Sequence, residues 1–191
     1  YLKGWDNYQA VASYDRQHWF RLPTFYKDGK LTIVADMDCE SIQIAYFAPY
    51  SYERHQDLLA AVQMHPLVSL EHLGETLDKR DLTLVKIGDG DTNKRTIWIT
   101  ARQHPGETMA EWLVDGLLHS LLDSDNATGK LLLDKANFYI VPNMNPDGSV
   151  RGHLRTNAVG TNLNREWLTP SLTKSPEVFY VVNKMKETGV D

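Results

Sequence analysis

The sequence predicts an α/β domain with a largely parallel or mixed sheet, preceded by a shorter region built from strands. Two observations lead to this prediction. After residue 80, segments of strand composition alternate with helical patterns, as is typical of α/β proteins. Before residue 50, short segments rich in aromatic and β-branched residues are separated only by turn signals. We therefore expect a boundary between the two regions near residues 49–51.

The first region contains three segments of strand composition, which are WDNYQAVASYD, WFRLPTFYKDGKLTIVAD and SIQIAYFAPY. Within the second of these, KDGK carries the Asp-Gly pair that favours a tight hairpin turn. The segment from Asp57 to Met64 then has the composition of a helix. Pro66 ends it, because a proline ring cannot continue the helical hydrogen-bond ladder.

In the second region, LTLVKIG and TIWITA are predicted strands, joined by the turn DGDTNK. A helix is predicted over residues 108–122, because apolar residues recur on one face at positions 109, 112, 113, 117, 118 and 121. LLLDKANFYIVP supplies the next predicted strand, and residues 175–187 form another predicted helix. Alternation of this kind supports a mixed sheet with helices packed against it.

Composition excludes several classes of protein. The net charge of −5, with both signs interspersed, argues against nucleic-acid binding, which needs a basic face. No segment approaches the roughly 18 apolar residues of a membrane helix, so no membrane partner is expected. Cys39 is the single cysteine, which excludes an internal disulfide and fits a reducing, cytoplasmic compartment. It lies in the acidic run ADMDCE, where we expect an inert thiol.

Two copies of His-x-Gly-Glu begin at His72 and His104. One accidental His-x-x-Glu is unsurprising in a chain of this composition. The second copy, however, follows the strand TIWITA and precedes a helix, where ligands collect in α/β sheets. Pro105 and Gly106 form a tight loop that can direct His104 and Glu107 at one centre, and an imidazole with a carboxylate suits catalytic zinc. We predict a metal site at the second copy.

Further motifs follow HPGE in a fixed order: NPDG at residues 145–148, then Arg155, then GTNLNREW at residues 160–167. This series resembles the zinc metallocarboxypeptidases, and specifically their cytosolic carboxypeptidase branch. WDNYQAVASYDRQHWFRLPT and AYFAPYSYERH are similar to the small β-domain that precedes the peptidase domain in that branch.

The resemblance implies a domain organisation. Residues 51–191 would form the N-terminal portion of an α/β, mixed-sheet zinc carboxypeptidase domain. Residues 1–50 would form the C-terminal part of a small antiparallel β-sandwich domain. Because the chain lacks an initiator Met and stops soon after SPEV, we expect that it is truncated at both ends.

Carried over position by position, the resemblance also implies the site residues. His104 and Glu107 match the first two zinc ligands. Arg155 matches the arginine that polarises the scissile carbonyl and stabilises the oxyanion. Asn164 and Arg165 match the pair that binds the terminal carboxylate of the substrate. Their chemistry is suitable, since a planar guanidinium binds a carboxylate in two places, and a fixed cation stabilises developing negative charge.

The family's remaining catalytic groups would lie further along. The resemblance implies one Zn²⁺ per chain, with a third ligand, a histidine, expected beyond Asp191. The general base, a glutamate, is expected there as well. Many family members carry Asp where this chain has Asn162, and that Asp orients the first zinc histidine. An amide oxygen can still accept the imidazole N–H, but it adds no charge.

Other residues near these motifs receive structural interpretations. NPDG is expected to form a tight turn in which Asp147 bonds its own backbone. Trp167 is expected to pack. Glu111 follows Glu107 by one helical turn, and we expect it to be solvated or to support the ligands from behind. His72 is expected to be a half-exposed strand residue, with Gly74 at a turn or bulge.

The function implied by the resemblance is zinc-dependent removal of C-terminal residues from peptides or protein tails. Two alternatives stay open. One is a zinc-dependent acylase of the aspartoacylase or desuccinylase type, which shares His-x-x-Glu on a similar fold. The other is a non-catalytic relative that keeps the fold and binds carboxylates without hydrolysing a substrate. NLNREW and the preceding strands favour the peptidase. Intact His104, Glu107 and Arg155 argue against loss of catalysis.

Overall fold

The computed structural model describes residues 3–191. The chain folds into two compact units, Tyr1–Pro49 and Tyr50–Asp191. Across the residues described, no helix has both the length and the apolar character needed to cross a membrane.

The first unit consists of short antiparallel strands. Three of them form a sheet in the order β2-β1-β5, and the other two form a hairpin, β3-β4. Asp28 and Gly29 have φ values of 51° and 77°, as a two-residue hairpin turn requires, so the predicted KDGK hairpin is confirmed. The strands are β1 (Val11–Ser13), β2 (Phe20–Arg21), β3 (Thr24–Lys27), β4 (Lys30–Ile33) and β5 (Gln43–Ala45).

Aromatic side chains hold the first unit together. Tyr8 and Tyr46 stack with their ring centroids 4.1 Å apart, and Trp5 and Phe47 meet Tyr46 edge-on. The Arg21 guanidinium lies 4.8 Å from the centre of the Tyr8 ring. These contacts join the segment before β1 to the segment after β5, which accounts for the aromatic richness of this region.

The second unit is built on a four-stranded mixed sheet with the strand order β6-β7-β9-β8. Strands β8 and β9 are parallel, whereas β7 is antiparallel to both of its neighbours. The predicted α/β fold with a mixed sheet is confirmed. The strands are β6 (Val68–Glu75), β7 (Asp81–Ile87), β8 (Arg95–Thr100) and β9 (Ala136–Val141).

Helices cover both faces of this sheet. Because successive strand residues face opposite sides, Val85 and Ile87 of β7 pack with the helices α1 and α2, whereas Leu82 and Leu84 pack with α5. The core therefore lies in two layers. The helices are α1 (Tyr52–Val62), α2 (Met109–Leu122), α3 (Ala127–Lys135), α4 (Pro146–Arg151) and α5 (Pro176–Thr188), with a short 3₁₀ helix at Leu163–Arg165.

Two predicted elements have different bounds in the structure. Helix α1 begins five residues before the predicted Asp57, because the Ser51 side chain accepts the backbone N–H of Arg54 and caps the helix there. The first part of the predicted strand LLLDKANFYIVP is helical instead. Asn126 caps α3 by accepting the backbone N–H groups of Thr128 and Gly129, and the strand starts only at Ala136.

The buried face of α2 also differs from the prediction. Its buried residues are Glu111, Val114, Leu118 and Leu121, while Leu113 is 66% exposed. The predicted face is therefore wrong at positions 109 and 113, which both lie at the surface. The interpretation of Glu111 as a solvated residue is wrong too. The buried face of α2 differs from the predicted one because it includes the Glu111 carboxylate, which has a buried partner described below.

The NPDG motif is not a simple turn, since it begins α4. Asn145 caps this helix by accepting the backbone N–H of Gly148, and Pro146 occupies the first turn. The prediction that Asp147 bonds its own backbone is wrong. Its buried carboxylate accepts hydrogen bonds from the Thr76 hydroxyl (2.8 Å), the Asp78 backbone N–H (2.9 Å) and Arg80 Nη1 (2.9 Å). It thereby fixes α4 to the loop between β6 and β7.

We expect Asp147→Ala to lower the free energy of unfolding by about 3 kcal/mol, because it leaves a charge and buried donors without their acceptor. Urea denaturation of the purified protein measures this change. Glu75→Ala is the control, since it removes an exposed carboxylate that pairs with Lys79 at 3.0 Å, and we expect a change within about 0.5 kcal/mol. Equal losses in the two variants would contradict the structural role of Asp147.

Candidate active site

The loops that carry HPGE and NPDG leave the same edge of the sheet. Strands β8 and β9 are parallel, so their carboxyl ends, at Thr100 and Val141, meet there. Two further hydrogen bonds continue the pairing beyond the strands: Ala101 N–H donates to Val141 O, and Met144 N–H donates to Ala101 O, both at 2.9 Å. The loop with HPGE and the loop with NPDG therefore start side by side.

The HPGE segment is a tight turn that leads directly into α2. Glu107 N–H donates to His104 O at 3.0 Å, and Ala110 N–H donates to Glu107 O at 3.1 Å. His104 Nδ1 lies 3.2 Å from each carboxylate oxygen of Glu107. His104 is buried, whereas the Glu107 side chain is 45% exposed, so an approaching ligand can reach the pair from the Glu107 side.

Two glycines allow the neighbouring loops to pack against this turn. Gly106 N–H donates to Leu154 O at 3.0 Å, and a Cβ on Gly106 would lie 2.8 Å from Leu154 Cδ1. A Cβ on Gly148 would lie 2.4 Å from Pro105 Cγ. A Cβ on Gly148 would also lie 2.5 Å from Thr156 O, so a larger residue there would displace that backbone. At Gly106 the nearest backbone atom is Leu154 O at 3.0 Å, so the loop would have to shift slightly. The NPDG motif therefore acts through packing, because Gly148 allows α4 to contact Pro105 of the HPGE turn.

Arg155 is brought to the same place, because it follows Leu154 in the loop that packs on Gly106. Its Nη1 donates to Glu107 Oε1 at 3.2 Å, and its Nη2 lies 3.2 Å from His104 Nε2. The Arg155 side chain is 40% exposed, so part of the guanidinium still faces solvent. The structure thus places His104, Glu107 and Arg155 in mutual contact.

Asn162 determines which nitrogen of His104 carries a proton. Its Oδ1 accepts the backbone N–H of Asn164 at 3.0 Å, so the amide oxygen must also be the atom that lies 3.1 Å from His104 Nε2. Nε2 therefore donates to Asn162. The approach of Arg155 Nη2 to the same nitrogen is not a hydrogen bond, because a guanidinium has only donors. Nδ1 is left directed at Glu107.

These contacts fit a bound metal ion. With the proton on Nε2, the lone pair of His104 Nδ1 faces the carboxylate oxygens of Glu107, an arrangement that a cation between them stabilises. Zinc bonds of about 2.0–2.1 Å at a tetrahedral angle place two ligand atoms about 3.3 Å apart, close to the observed 3.2 Å. Among residues 3–191, no His, Cys, Asp or Glu joins them to complete a group of three.

Asn164 and Arg165 lie in the 3₁₀ helix that follows Asn162, with both side chains exposed. Arg165 Nη1 donates to Asn164 O at 2.8 Å, which leaves its other donors free for a ligand. Leu163, between Asn162 and Asn164, is fully buried and anchors this segment in the core. Trp167 packs there as predicted, and its Nε1 donates to Gln103 Oε1 at 2.5 Å.

The first His-x-Gly-Glu copy lies elsewhere. His72 is on β6 with its side chain 54% exposed, as predicted, and its Nδ1 lies 3.3 Å from Asp81 Oδ1. Pairing of β6 with β7 is irregular between His72 and Gly74, so the predicted bulge is confirmed. A Cβ on Gly74 would lie 2.4 Å from the Tyr180 ring, which explains the need for glycine there.

Comparison with known proteins gives the family. Residues 55–184 match the family described as zinc carboxypeptidase, and residues 1–47 match the cytosolic carboxypeptidase N-terminal domain. The chain belongs to the zinc carboxypeptidase family. The predicted resemblance to its cytosolic branch is confirmed, since mouse cytosolic carboxypeptidase 6 is 33% identical over 84% of this chain and 33% of that protein.

Solved carboxypeptidase structures share the fold over the whole chain. A crystal structure of a Shewanella denitrificans protein, provisionally assigned as a carboxypeptidase A, is 80% identical with a TM-score of 0.96. A metallo-carboxypeptidase from Pseudomonas aeruginosa, solved with (2-guanidinoethylmercapto)succinic acid, is 43% identical with a TM-score of 0.91. Each covers 100% of this chain, which spans 51% of either one.

The sequence interpretation missed Arg102, whose side chain contacts the HPGE turn at Pro105 O. Arg102 is buried directly after β8, with Nη1 2.6 Å from Glu111 Oε2. A signal was present. Glu111 shares the helical spacing of Val114, Leu118 and Leu121, and a carboxylate on an apolar stripe needs a buried cationic or hydrogen-bonding partner.

Another buried carboxyl group contacts the loop that joins Arg155 to Asn162. Glu177, in the first turn of α5, accepts hydrogen bonds from Asn157 Nδ2 at 3.3 and 3.4 Å. Asn157 Oδ1 in turn accepts the backbone N–H of Thr161 at 3.0 Å. Burial raises the pKa of Glu177 to about 7, although hydrogen bonds from its own backbone N–H and from Asn157 oppose this shift.

The raised pKa makes stability depend on pH. Between about pH 4.5 and 7 the folded protein keeps the Glu177 proton that the unfolded chain loses, so stability falls as pH rises. Above pH 7 the free energy of unfolding is about 3 kcal/mol lower than it is below pH 4.5. We expect Glu177→Gln to remove this difference, making the variant increasingly more stable than the parent from pH 5 to 8 in urea titrations. A constant difference across this range would contradict the prediction.

Proposed function

We propose that the protein is a zinc-dependent carboxypeptidase that hydrolyses C-terminal residues from peptides or protein tails. The observation that carries the proposal is the contact between His104, Glu107 and Arg155, with His104 Nδ1 directed at the carboxylate by Asn162. This contact supports a role for His104 and Glu107 as a metal-binding pair beside the Arg155 cation. The chain spans one third to about one half of the relatives described above, so the activity is proposed for the whole protein.

His104 and Glu107 would hold one Zn²⁺ per chain, and the family resemblance implies a third ligand beyond Asp191. Bound zinc supplies Lewis acidity, which polarises a carbonyl and lowers the pKa of a water molecule. The role of Asn162 is to keep the proton on His104 Nε2 and thus keep Nδ1 available. Because Asn162 is uncharged, it orients the imidazole without increasing its basicity.

Arg155 would act on the substrate carbonyl. Its guanidinium has five N–H donors, of which one is given to Glu107 Oε1, so others can reach a carbonyl oxygen bound next to the metal ligands. A positive charge held there stabilises the negative charge that develops on that oxygen in the transition state. The contact with Glu107 keeps the guanidinium in position before substrate arrives.

Asn164 and Arg165 would select substrates that end in a free carboxylate. Both side chains are exposed, and they follow directly from Asn162, which contacts His104. A guanidinium binds a carboxylate with two parallel hydrogen bonds, and the neighbouring amide adds a further donor. Fixing the chain terminus near the metal ligands places the last peptide bond at the reacting centre, which makes the enzyme an exopeptidase.

We propose that residues 1–50 are the C-terminal part of a β-sandwich domain and that residues 51–191 are the N-terminal portion of the peptidase domain. The names of the cytosolic relatives and the single cysteine support a cytoplasmic location. The match of residues 1–47 to a cytosolic carboxypeptidase domain favours peptide substrates over the small acyl-amino acids of an acylase.

We expect about one zinc per chain by elemental analysis of the protein expressed from its natural reading frame. His104→Ala should abolish zinc retention, because it removes one of two converging ligands. His72→Ala is the matched control and should leave the zinc content unchanged, since His72 lies on β6 beside Asp81. Equal zinc loss in both variants would refute the assignment of the metal site.

We expect Arg155→Ala to lower kcat by about 10²–10³-fold with the zinc content unchanged, because an oxyanion donor acts mainly in the transition state. Arg151→Ala is the control. It removes a nearby arginine that pairs with Asp78 at 2.6 Å, and turnover should stay within about twofold. The turnover of both variants is measured with a peptide substrate and with an acyl-amino acid. Faster turnover of the acyl-amino acid would favour an acylase instead.

A further inference from the structure

Arg102 adopts a backbone conformation that is unusual for its residue type. Its φ of 48° lies in the left-handed region, which costs free energy for residues other than glycine. The residue stands directly between the end of β8 and the HPGE turn. A glycine would satisfy the backbone here without strain, so the side chain must contribute something that offsets the strain.

The Arg102 side chain reaches three different segments. Nε donates to Pro105 O at 3.0 Å, which is inside the HPGE turn. Nη1 donates to Tyr50 O at 2.7 Å, at the start of the second unit, and to Glu111 Oε2 at 2.6 Å, on α2. The guanidinium therefore connects the carbonyl of Pro105 to the first turn of α2 and to Tyr50, two residues before α1 begins.

Glu111 is itself held on several sides. It is fully buried, and besides Arg102 it has His55 Nδ1 at 2.7 Å, without hydrogen-bond alignment, and Asn143 Nδ2 at 3.4 Å. Asn143 belongs to the loop that follows β9 and also bonds the Ser149 hydroxyl of α4. The Arg102–Glu111 ion pair therefore joins the HPGE turn to α1, α2 and the loop before NPDG.

We propose that Arg102, with Glu111 as its counter-ion, is a positioning residue that sets the separation of His104 and Glu107 for metal binding. Neither Arg102 nor Glu111 contacts the metal donors in the structure. Arg102 acts on the turn through Pro105 O, two residues before the Glu107 N–H that closes the turn onto His104 O. This inference rests on the proposed function, since it assumes that His104 and Glu107 bind zinc.

The test compares Arg102→Lys with the parent protein. Lysine keeps the charge beside Glu111, but its compact ammonium cannot bond Pro105 O, Tyr50 O and Glu111 together in the geometry of the guanidinium fork. We expect zinc affinity, measured by chelator competition on the folded protein, to fall 10–100-fold. The melting temperature of the metal-free protein should fall as well, because buried carbonyls lose their donor. The visible spectrum of the cobalt-substituted protein should change as well, which reports ligand geometry without any assay of activity.

Arg54→Lys is the matched control. Arg54 also links α1 to α2, through Asp115 at 3.7 Å and the Trp112 ring at 4.1 Å, but these contacts do not reach the HPGE turn. The same substitution there should leave zinc affinity within about twofold of the parent. Unchanged affinity in Arg102→Lys, or an equal loss in Arg54→Lys, would overturn the positioning role.

A second variant covers the case in which Arg102→Lys does not fold. Arg102→Gly combined with Glu111→Gln removes both buried charges and suits the left-handed backbone. If this variant folds and loses zinc affinity 10-fold or more, the proposal stands, and if it folds with the parent's affinity, the proposal fails. Absence of zinc binding in the parent itself would instead refute the proposed function, so the two failures are distinguishable.

Discussion

The parallel pairing of β8 with β9 is the constraint on which the site depends. It brings the ends of the two strands together, and the bonds between Ala101, Val141 and Met144 carry the pairing past the strands. Two loops far apart in sequence therefore start at the same point. The loop with Leu154 and Arg155 can then close over both, because Gly106 and Gly148 leave room for close backbone approach.

Polar groups in this structure fall into two kinds according to their burial. Asp147, Glu111 and Glu177 are fully buried, and each fixes one segment to another. The side chains assigned to the substrate or the metal, by contrast, are mostly half-exposed or exposed: Glu107, Arg155, Asn164 and Arg165. Burial is costly for a charge without a partner, so the first kind must be satisfied within the chain. The second kind keeps bonding capacity for a ligand.

Much of the fold and of the site could be predicted from sequence, because local signals were sufficient there. The KDGK hairpin, the strand TIWITA and the helix after HPGE have short-range patterns, and the order of four motifs identified the family. The sequence failed where a distant partner decides the outcome. Asp147 faces Thr76 and Arg80, about 70 positions away, rather than its own turn. The segment from Leu131 to Lys135 was predicted to be a strand, but it is helical because Asn126 caps α3 upstream of it. The roles assigned to the six site residues stay predictions. The structure brings four of them into contact, which are His104, Glu107, Arg155 and Asn162.

The buried carboxyl group of Glu177 has a consequence for any sample of this protein. Because burial raises the pKa of this group to about 7, its protonated and ionised forms both occur near neutral pH. A solution near pH 7 is therefore a mixture of two charge forms, which differ at a residue bonded to the loop between Arg155 and Asn162. Spectra or rates recorded there are population averages, and a small drift in buffer changes the proportions of the two forms.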